Sequence, residues 1–187
     1  MRTALVWITG AALVIAAGVV TVITPDPDAQ VDAFLIHGAV DETIGSRNLT
    51  VQVEDVRFAD RITVSEDDDW TADGNWLVVD LSAAAARTEV DATIRLIKLI
   101  VDGRDFIASE RPSTSLVGAD LRVGLETRGM VAFELPADLA AETAELRLSL
   151  PYSTPHLDDV IVVPLDLGRA PREGVIDIVE PTTPEVP

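Results

Sequence analysis

Apolar and polar residues alternate with a period of two over most of the chain after residue 48, which is the pattern of half-buried β-strands. The apolar positions that we predict to share one core are Val51, Val53, Trp76, Val79, Val131, Phe133, Leu146, Leu148 and Ile161. Pro164 interrupts the last run and predicts an edge strand or a bulge, because proline cannot donate to the ladder. Seven or eight such runs with turn signals between them predict an antiparallel, immunoglobulin-like β-sandwich.

Two local signals refine this strand pattern. The alternation after Val53 shifts by one residue near Asp55, which predicts a β-bulge. The periodicity of Asp91–Val101 is compatible with a helix and with a strand. The Asp102-Gly103 pair that follows favours a type I′ hairpin, because glycine adopts a positive φ at little cost. We therefore predict a strand before this turn and a returning strand over Arg104–Ser109.

The N-terminal segment has a different pattern. Ala4–Ile23 contains no charged side chain, and a helix of this length spans about 30 Å, the thickness of a bilayer's hydrocarbon core. Arg2 precedes the run and Asp26 follows it, an order that favours a cytoplasmic N-terminus and an extracytoplasmic body. We expect an uncleaved single-pass anchor in the cell membrane. The alternative is a cleaved signal peptide on a secreted protein, with small residues at 16–18 as the cleavage site.

These patterns divide the chain into four parts. Residues 1–24 are the anchor or signal peptide, 25–46 a linker with a short apolar segment, 47–168 the β-sandwich, and 169–187 a Pro-rich C-terminal tail. The end of the tail, residues 180–187, has a composition typical of disorder. About 160 residues follow the anchor, enough for one domain with a sizeable core.

Charge and composition exclude several classes of function and binding site. The chain has 14 basic and 32 acidic residues, a formal net charge of −18. Such a charge repels nucleic acid and favours basic or neutral partners. The alternative is that the charge only keeps the protein soluble. The chain has no cysteine, which excludes a disulfide framework, a thiol nucleophile and a zinc–thiolate site.

A polar hairpin loop is predicted over Ser65–Gly74, where carboxylates are densest. Asp67, Asp69 and Asp73 are candidate calcium ligands, because calcium prefers carboxylate oxygens on flexible loops. Their spacing differs from the Asp-x-Asp-x-Asp-Gly pattern of helix-flanked calcium loops, so a solvated loop is the interpretation we favour. Trp70 in the same loop is a candidate for sugar or peptide recognition, or else it covers one end of the core.

The order of features from Asn48 to Leu167 resembles DUF4352, a bacterial extracellular family of immunoglobulin-like, telokin-like sandwiches. The segments that match the family pattern are Gly74–Val79 (GNWLVV), Asp102-Gly103 and Gly129–Pro136 (GMVAFELP). The family often has Leu-x-Pro-Gly before the last of these, where this chain has Leu-Arg-Val-Gly at 121–124. The resemblance implies a surface or secreted domain and implies no catalytic residues.

The sequence has none of the common catalytic or phosphate-binding motifs. Gly-x-Ser-x-Gly, Ser-x-x-Lys, His-Glu-x-x-His and a Gly-rich phosphate loop are all missing from it. We therefore expect a membrane-anchored, non-enzymatic domain outside the cell, which needs no cofactor and binds or assembles with another envelope protein. The alternative is an ion or ligand sensor that uses the acidic loop to bind calcium.

Overall fold

A computed structural model describes residues 7, 10, 12–19, 32–65, 70–139, 141–150 and 157–183, and the chain divides into two units between Asp32 and Ala33. In the first unit, residues 12–19 are helical. No helix among the described residues is long and apolar enough to cross a membrane. Both ends of the predicted Ala4–Ile23 span fall outside the described residues, so the anchor stays a prediction.

The second unit is an all-β sandwich of two sheets, which confirms the predicted fold class at this level. Its described residues form β1 (Phe34–His37), β2 (Thr43–Gly45), β3 (Leu49–Val64), β4 (Trp70–Ala85), β5 (Leu96–Val101), β6 (Arg104–Ile107), β7 (Thr127–Leu135), β8 (Thr143–Ser149), β9 (Asp159–Asp166), β10 (Arg172–Glu173) and β11 (Ile176–Asp177). The five-stranded sheet has the order β1-β9-β8-β5-β6. The six-stranded sheet has the order β10-β3-β4-β7, with β2 and β11 also paired to β3.

The strand pairs are mostly antiparallel, as predicted, but three edge pairs are parallel. β1 pairs in parallel with β9, and both β10 and β11 pair in parallel with β3. Parallel neighbours require a long connection between the two strands. Periodicity within one strand carries no information about such a distant partner, so the sequence pattern did not predict these pairs.

The main core lies between the two sheets. It is built from the inward-facing residues of both, among them Leu77 of β4, Phe133 of β7, Leu99 of β5 and Leu146 of β8, all fully buried. Eight of the nine predicted core positions belong to this cluster. The alternation therefore predicted the inward face correctly on most strands.

Trp76, the ninth predicted position, is buried on the opposite face of the six-stranded sheet. Neighbouring residues of a strand point to opposite faces, so Trp76 and Leu77 cannot both enter the main core. The indole Nε1 of Trp76 donates to the Ala72 carbonyl at 3.1 Å. This residue belongs to a second apolar cluster with Ala59, Ile62, Val64, Ala72, Val78, Ala132, Ile176 and Ile178.

The C-terminal segment covers this second cluster, so the predicted tail over residues 169–187 is wrong for its described part. β10 and β11 lie along β3, and the side chains of Ile176 and Ile178 are only 4% and 1% exposed. Beyond them, Thr182 exchanges two backbone hydrogen bonds of 2.8 Å with β7. The chain therefore crosses the outer face of the sheet from one edge to the other. We call residues 172–183 the C-terminal strap.

Two other predicted boundaries also differ from the structure. The described part of the predicted linker, 25–46, contains β1 and β2, which pair with β9 and β3. The predicted loop over Ser65–Gly74 is shorter, because β4 already begins at Trp70, opposite Val64. Its polar residues alternate with Trp70 and Ala72, which pack on the second cluster, so the segment extends the β3–β4 ladder.

The predicted bulge and hairpin are both confirmed. The pairing of β3 with β4 shifts register between Val53 and Asp55, where the alternation changes face. Asp102 and Gly103 join β5 to β6 with φ values of 49° and 72°. Two consecutive positive φ values are the requirement of a type I′ turn.

Pro164 lies in β9, which is an interior strand and pairs with β8 without a register shift, so it marks neither the predicted edge strand nor the predicted bulge. The neighbouring strand β1 ends at His37, opposite Val162. Gly38 N donates to the Val162 carbonyl at 3.1 Å, so the backbone of residue 162 faces β1. Pro164 faces the same side two residues later, where β1 has ended. The missing proline N–H therefore leaves no ladder hydrogen bond unmade.

Candidate functional site

The strongest candidate site is a cleft at one corner of the five-stranded sheet, which we call the β5–β6 cleft. It consists of two adjoining depressions of about 500 and 250 Å³ that share Arg95, Glu110 and Val117. The larger depression is lined mainly by the irregular segment 112–120. The smaller one is lined by residues of β5 and β6, including Ile107.

The irregular wall of the cleft is tied to the six-stranded sheet and to the segment that precedes β5. Leu121 N donates to the Ala92 carbonyl at 2.8 Å, just before β5. Leu116 N donates to the Met130 carbonyl of β7 at 2.9 Å. The side chains of Leu116 and Leu121 are both buried in the main core. The wall is therefore held in place although it contains no regular element.

The cleft presents charges of both signs. The half-exposed Arg95 side chain lies 3.9 Å from the Asp91 carboxylate, a loose ion pair. Glu110 and Asp120 are exposed carboxylates on the lining, and Asp120 accepts a hydrogen bond from Thr93 Oγ1 at 3.4 Å. The site thus offers the Arg95 guanidinium and two carboxylates to a bound molecule, whereas Lys98, which also lines the smaller depression, is paired with Asp105 at 2.8 Å.

β6 forms one side of the cleft and is the last strand of its sheet. Ala108 N donates to the Ile97 carbonyl at 2.9 Å, which shows which backbone groups after Arg104 face β5 and which face away from it. In an antiparallel ladder alternate residues face the partner strand, so Phe106 bonds to β5 while the backbones of Asp105 and Ile107 point outward. Among the described residues, no backbone group pairs with that outward side. The Ile107 side chain is 55% exposed.

The structure does not gather the predicted calcium ligands among its described residues. Asp73 lies in β4, and its Oδ1 accepts a hydrogen bond from Arg61 Nε at 2.5 Å. Asp67 and Asp69 fall outside the described residues. Nowhere in the described part of the chain do three or more His, Asp or Glu side chains lie together as a metal ion requires. The one predicted ligand that is described is therefore already engaged by a guanidinium.

Trp70, the predicted recognition residue, begins β4 and is partly buried against the second cluster. The Arg111 guanidinium lies 5.4 Å from its ring centroid and 5.7 Å from that of Trp76. Arg111 also donates to the Glu134 carboxylate at 3.2 Å. This placement fits the core-covering alternative for Trp70, and a role in recognition stays a prediction.

A charged network on the outer face of the six-stranded sheet attaches the strap. Arg57 Nη2 donates to Asp80 at 2.6 Å, and its Nη1 donates to Glu173 of β10 at 3.0 Å. Burial raises the pKa of the Asp80 carboxyl, an effect that the Arg57 guanidinium opposes and the nearby Asp55 increases. These charges bind one another across strands, so the network holds the strap in place.

The cleft was missed by the sequence analysis. The pattern of residues 111–125 predicts only a loop, and Arg95, Ile107 and Glu110 belong to segments whose proximity depends on the topology. One signal pointed to the region, because the Asp102-Gly103 turn predicts β6 as the returning strand of a hairpin.

Comparison with known proteins identifies no family for this chain. No family model matches it, and no curated protein matches it. Among solved structures, an uncharacterized beta-sandwich protein from Clostridium difficile 630 is similar, with 12% sequence identity and a TM-score of 0.45. The alignment covers 72% of this chain and 97% of that one. The sandwich architecture described above rests on the strand pairing of this chain itself.

Proposed function

We propose that this protein is a membrane-anchored, extracytoplasmic domain that binds or assembles with another envelope protein and performs no catalysis. The observation that carries the proposal is the β5–β6 cleft, an open two-part depression beside an unpaired strand edge. Recognition residues are commonly carried by loops that a rigid scaffold positions, and segment 112–120 is such a loop.

The charge of the molecule indicates the class of partner. A net charge of −18 creates a field that attracts basic surfaces and slows the approach of acidic ones. The same field opposes binding to the phosphate backbone of nucleic acids. A basic or neutral protein surface is therefore the partner that this domain fits.

The sequence alone supports the proposed location of the protein and its proposed family. The uncharged run Ala4–Ile23 behind Arg2 supports a single-pass anchor with the sandwich outside the cell. Motifs at Gly74–Val79 and Asp102-Gly103 support an immunoglobulin-like sandwich of the DUF4352 type. Protease added to intact cells should digest the sandwich and leave the anchor, whereas a soluble mature form beginning near Val19 would contradict the anchor.

Site-specific crosslinking in cells tests the contact function. A photo-crosslinking residue is placed at Ser113, an exposed residue of the cleft lining, and in a second strain at Arg169, an exposed turn residue after β9. We expect one dominant envelope protein to be crosslinked from position 113 and not from position 169. Equal or absent crosslinking at the two positions would contradict the assignment. So would hydrolase activity of the purified protein that a single side-chain substitution abolishes.

A further inference from the structure

We propose that the free edge of β6 accepts an extended, basic segment of the partner protein, which adds to the five-stranded sheet as a further strand. This inference rests on the proposed contact function and names the chemistry of the partner. The ligand is a stretch of β-conformation that carries Lys or Arg next to apolar residues. Backbone pairing supplies affinity in this mode of recognition, and the side chains supply specificity.

Among the described residues, both edges of the six-stranded sheet are covered and those of the five-stranded sheet are not. An unpaired strand edge is a template for pairing, and proteins commonly cover such edges. In the six-stranded sheet, β2, β10 and β11 cover β3. The outer side of β7 is bonded by Ser109 N, Leu116 N and Thr182 N, at 2.7, 2.9 and 2.8 Å. In the five-stranded sheet, the outer sides of β1 and β6 have no such cover among the described residues, and β6 is the edge that adjoins the cleft.

The backbone of β6 is oriented to receive a strand. Asp105 and Ile107 direct their N–H and C=O groups away from β5, which provides two donors and two acceptors. Ile107 is paired with Lys98 of β5, and its exposed side chain lies on the outer face of the sheet. An apolar residue of an incoming strand would pack beside it, as cross-strand neighbours do.

Local charge favours a basic segment. Asp102 lies in the turn before β6, and Glu110 and Asp120 line the cleft; these three carboxylates have no ion-pair partner among the described residues. Of the nearby cations, Lys98 is paired with Asp105 at 2.8 Å and Arg95 loosely with Asp91 at 3.9 Å. Arg104 of β6 has no ion-pair partner among the described residues, so one such cation stands against three such carboxylates. Lysine or arginine side chains on the incoming segment would neutralise the three free carboxylates. An acidic segment would instead add to the repulsion from the whole molecule, whose net charge is −18.

Amide hydrogen exchange on the full-length protein in detergent micelles tests the proposal. The probe is the peptide acetyl-Lys-Val-Arg-Val-Lys-Val-amide, and the matched control is acetyl-Glu-Val-Glu-Val-Glu-Val-amide. At saturation the basic peptide should slow exchange at the Asp105 and Ile107 amides about tenfold. The Phe106 amide, which already bonds to β5, should not change. This alternation is expected for an added strand and not for binding elsewhere in the cleft.

A protein variant and a modified peptide test whether binding requires backbone pairing with β6. Ile107→Pro removes an outward N–H while leaving the hydrogen bonds to β5, so it should abolish peptide binding, whereas Ile107→Val should retain it. If the proline variant does not fold, the wild-type protein is tested with a basic peptide whose alternate backbone nitrogens are methylated. That peptide cannot pair along its methylated side and should bind at least tenfold more weakly.

Several results would overturn the proposal. These are binding that leaves the Asp105 and Ile107 amides unprotected, equal binding of the acidic peptide, and equal binding of the methylated peptide. Protection of both amides that rises with protein concentration alone would assign the edge to a second copy of the chain. If crosslinking from position 113 persists at the wild-type yield in Ile107→Pro, strand addition fails and the contact function stands. If wild-type protein gives no crosslink, the contact function itself fails.

Discussion

Arg47 and Asp159 join the two sheets through two hydrogen bonds on one carboxylate. The Arg47 backbone N–H donates to Oδ2 at 2.7 Å, and its Nη2 donates to Oδ1 at 3.0 Å. Arg47 lies in the turn before β3, and Asp159 is the first residue of β9. The guanidinium also lies 5.7 Å from the ring centroid of Phe34 in β1. One side chain thus connects three strands at this end of the sandwich.

Asp159→Asn should remove an acid-sensitive part of the stability. Hydrogen bonds from Arg47 hold the pKa of Asp159 below its ordinary value of 3.8. A lowered folded-state pKa gives stabilisation that is present above the unfolded value and is lost as pH falls through the folded one. Urea unfolding should therefore show the variant less stable than wild type at neutral pH, with the difference vanishing in strong acid. The control Asp138→Asn, at an exposed turn residue, should show no such convergence.

Phe133→Ala should destabilise the sandwich by about 3–5 kcal/mol, because the ring is fully buried between the sheets and its removal leaves a cavity. The matched control is Glu134→Ala on the same strand, where an exposed carboxylate loses only its surface contact with Arg111. Exposed ion pairs of this kind contribute about 0–1 kcal/mol. Chemical denaturation measures both variants. A loss below about 1 kcal/mol for Phe133→Ala would contradict its position in the core.

Ile178→Ala tests whether the strap is part of the folded domain. Its side chain is 1% exposed in the second cluster, so its truncation should cost about 2–5 kcal/mol. The neighbouring Val179 is 44% exposed, and Val179→Ala should change the free energy of unfolding by only about 0.5 kcal/mol. Equal effects of the two substitutions would mean that the strap does not pack as described.

Alternation predicts a buried face where the other face of the strand is polar. This condition holds in β7, where Val131 and Phe133 face the main core, and it led to the correct assignment. It fails at Trp76–Val79, which are all buried because the strap covers the second face of β4. The strap itself was missed because β10 and β11 contain two residues each, too few to show any period.

The candidate site depends on an arrangement that no local pattern encodes. At Ala108 and Ser109 the chain passes from one sheet to the other, since Ala108 N bonds to β5 and Ser109 N bonds to β7. This crossing brings Glu110 and segment 112–120 beside Arg95. Each of these residues has an ordinary sequence context, so the cleft becomes visible only with the topology.

Gly103→Ala should destabilise the β5–β6 hairpin. The residue has a φ of 72°, where a Cβ atom costs about 1–2 kcal/mol. The control is Gly45→Ala in β2, where an added Cβ meets no atom within 4 Å and φ is not in the left-handed region. We expect thermal unfolding to show a lower melting temperature for the first variant and little change for the second. An unchanged melting temperature in Gly103→Ala would contradict the type I′ turn.

Calcium should raise the melting temperature only slightly and without saturation. An acidic domain gains some stability from any divalent ion by screening, and the predicted ligand Asp73 is already paired with Arg61. A specific site would instead give a saturable increase in stability that follows RT ln(1 + [L]/Kd). Calorimetry over a calcium titration separates the two cases. The outcome that would contradict this prediction is a saturable rise in melting temperature that is lost in the Asp67→Asn/Asp69→Asn double variant. The rise should then persist in a control variant in which two exposed acidic residues elsewhere are neutralised. That result would favour the ion-sensor function over non-specific screening.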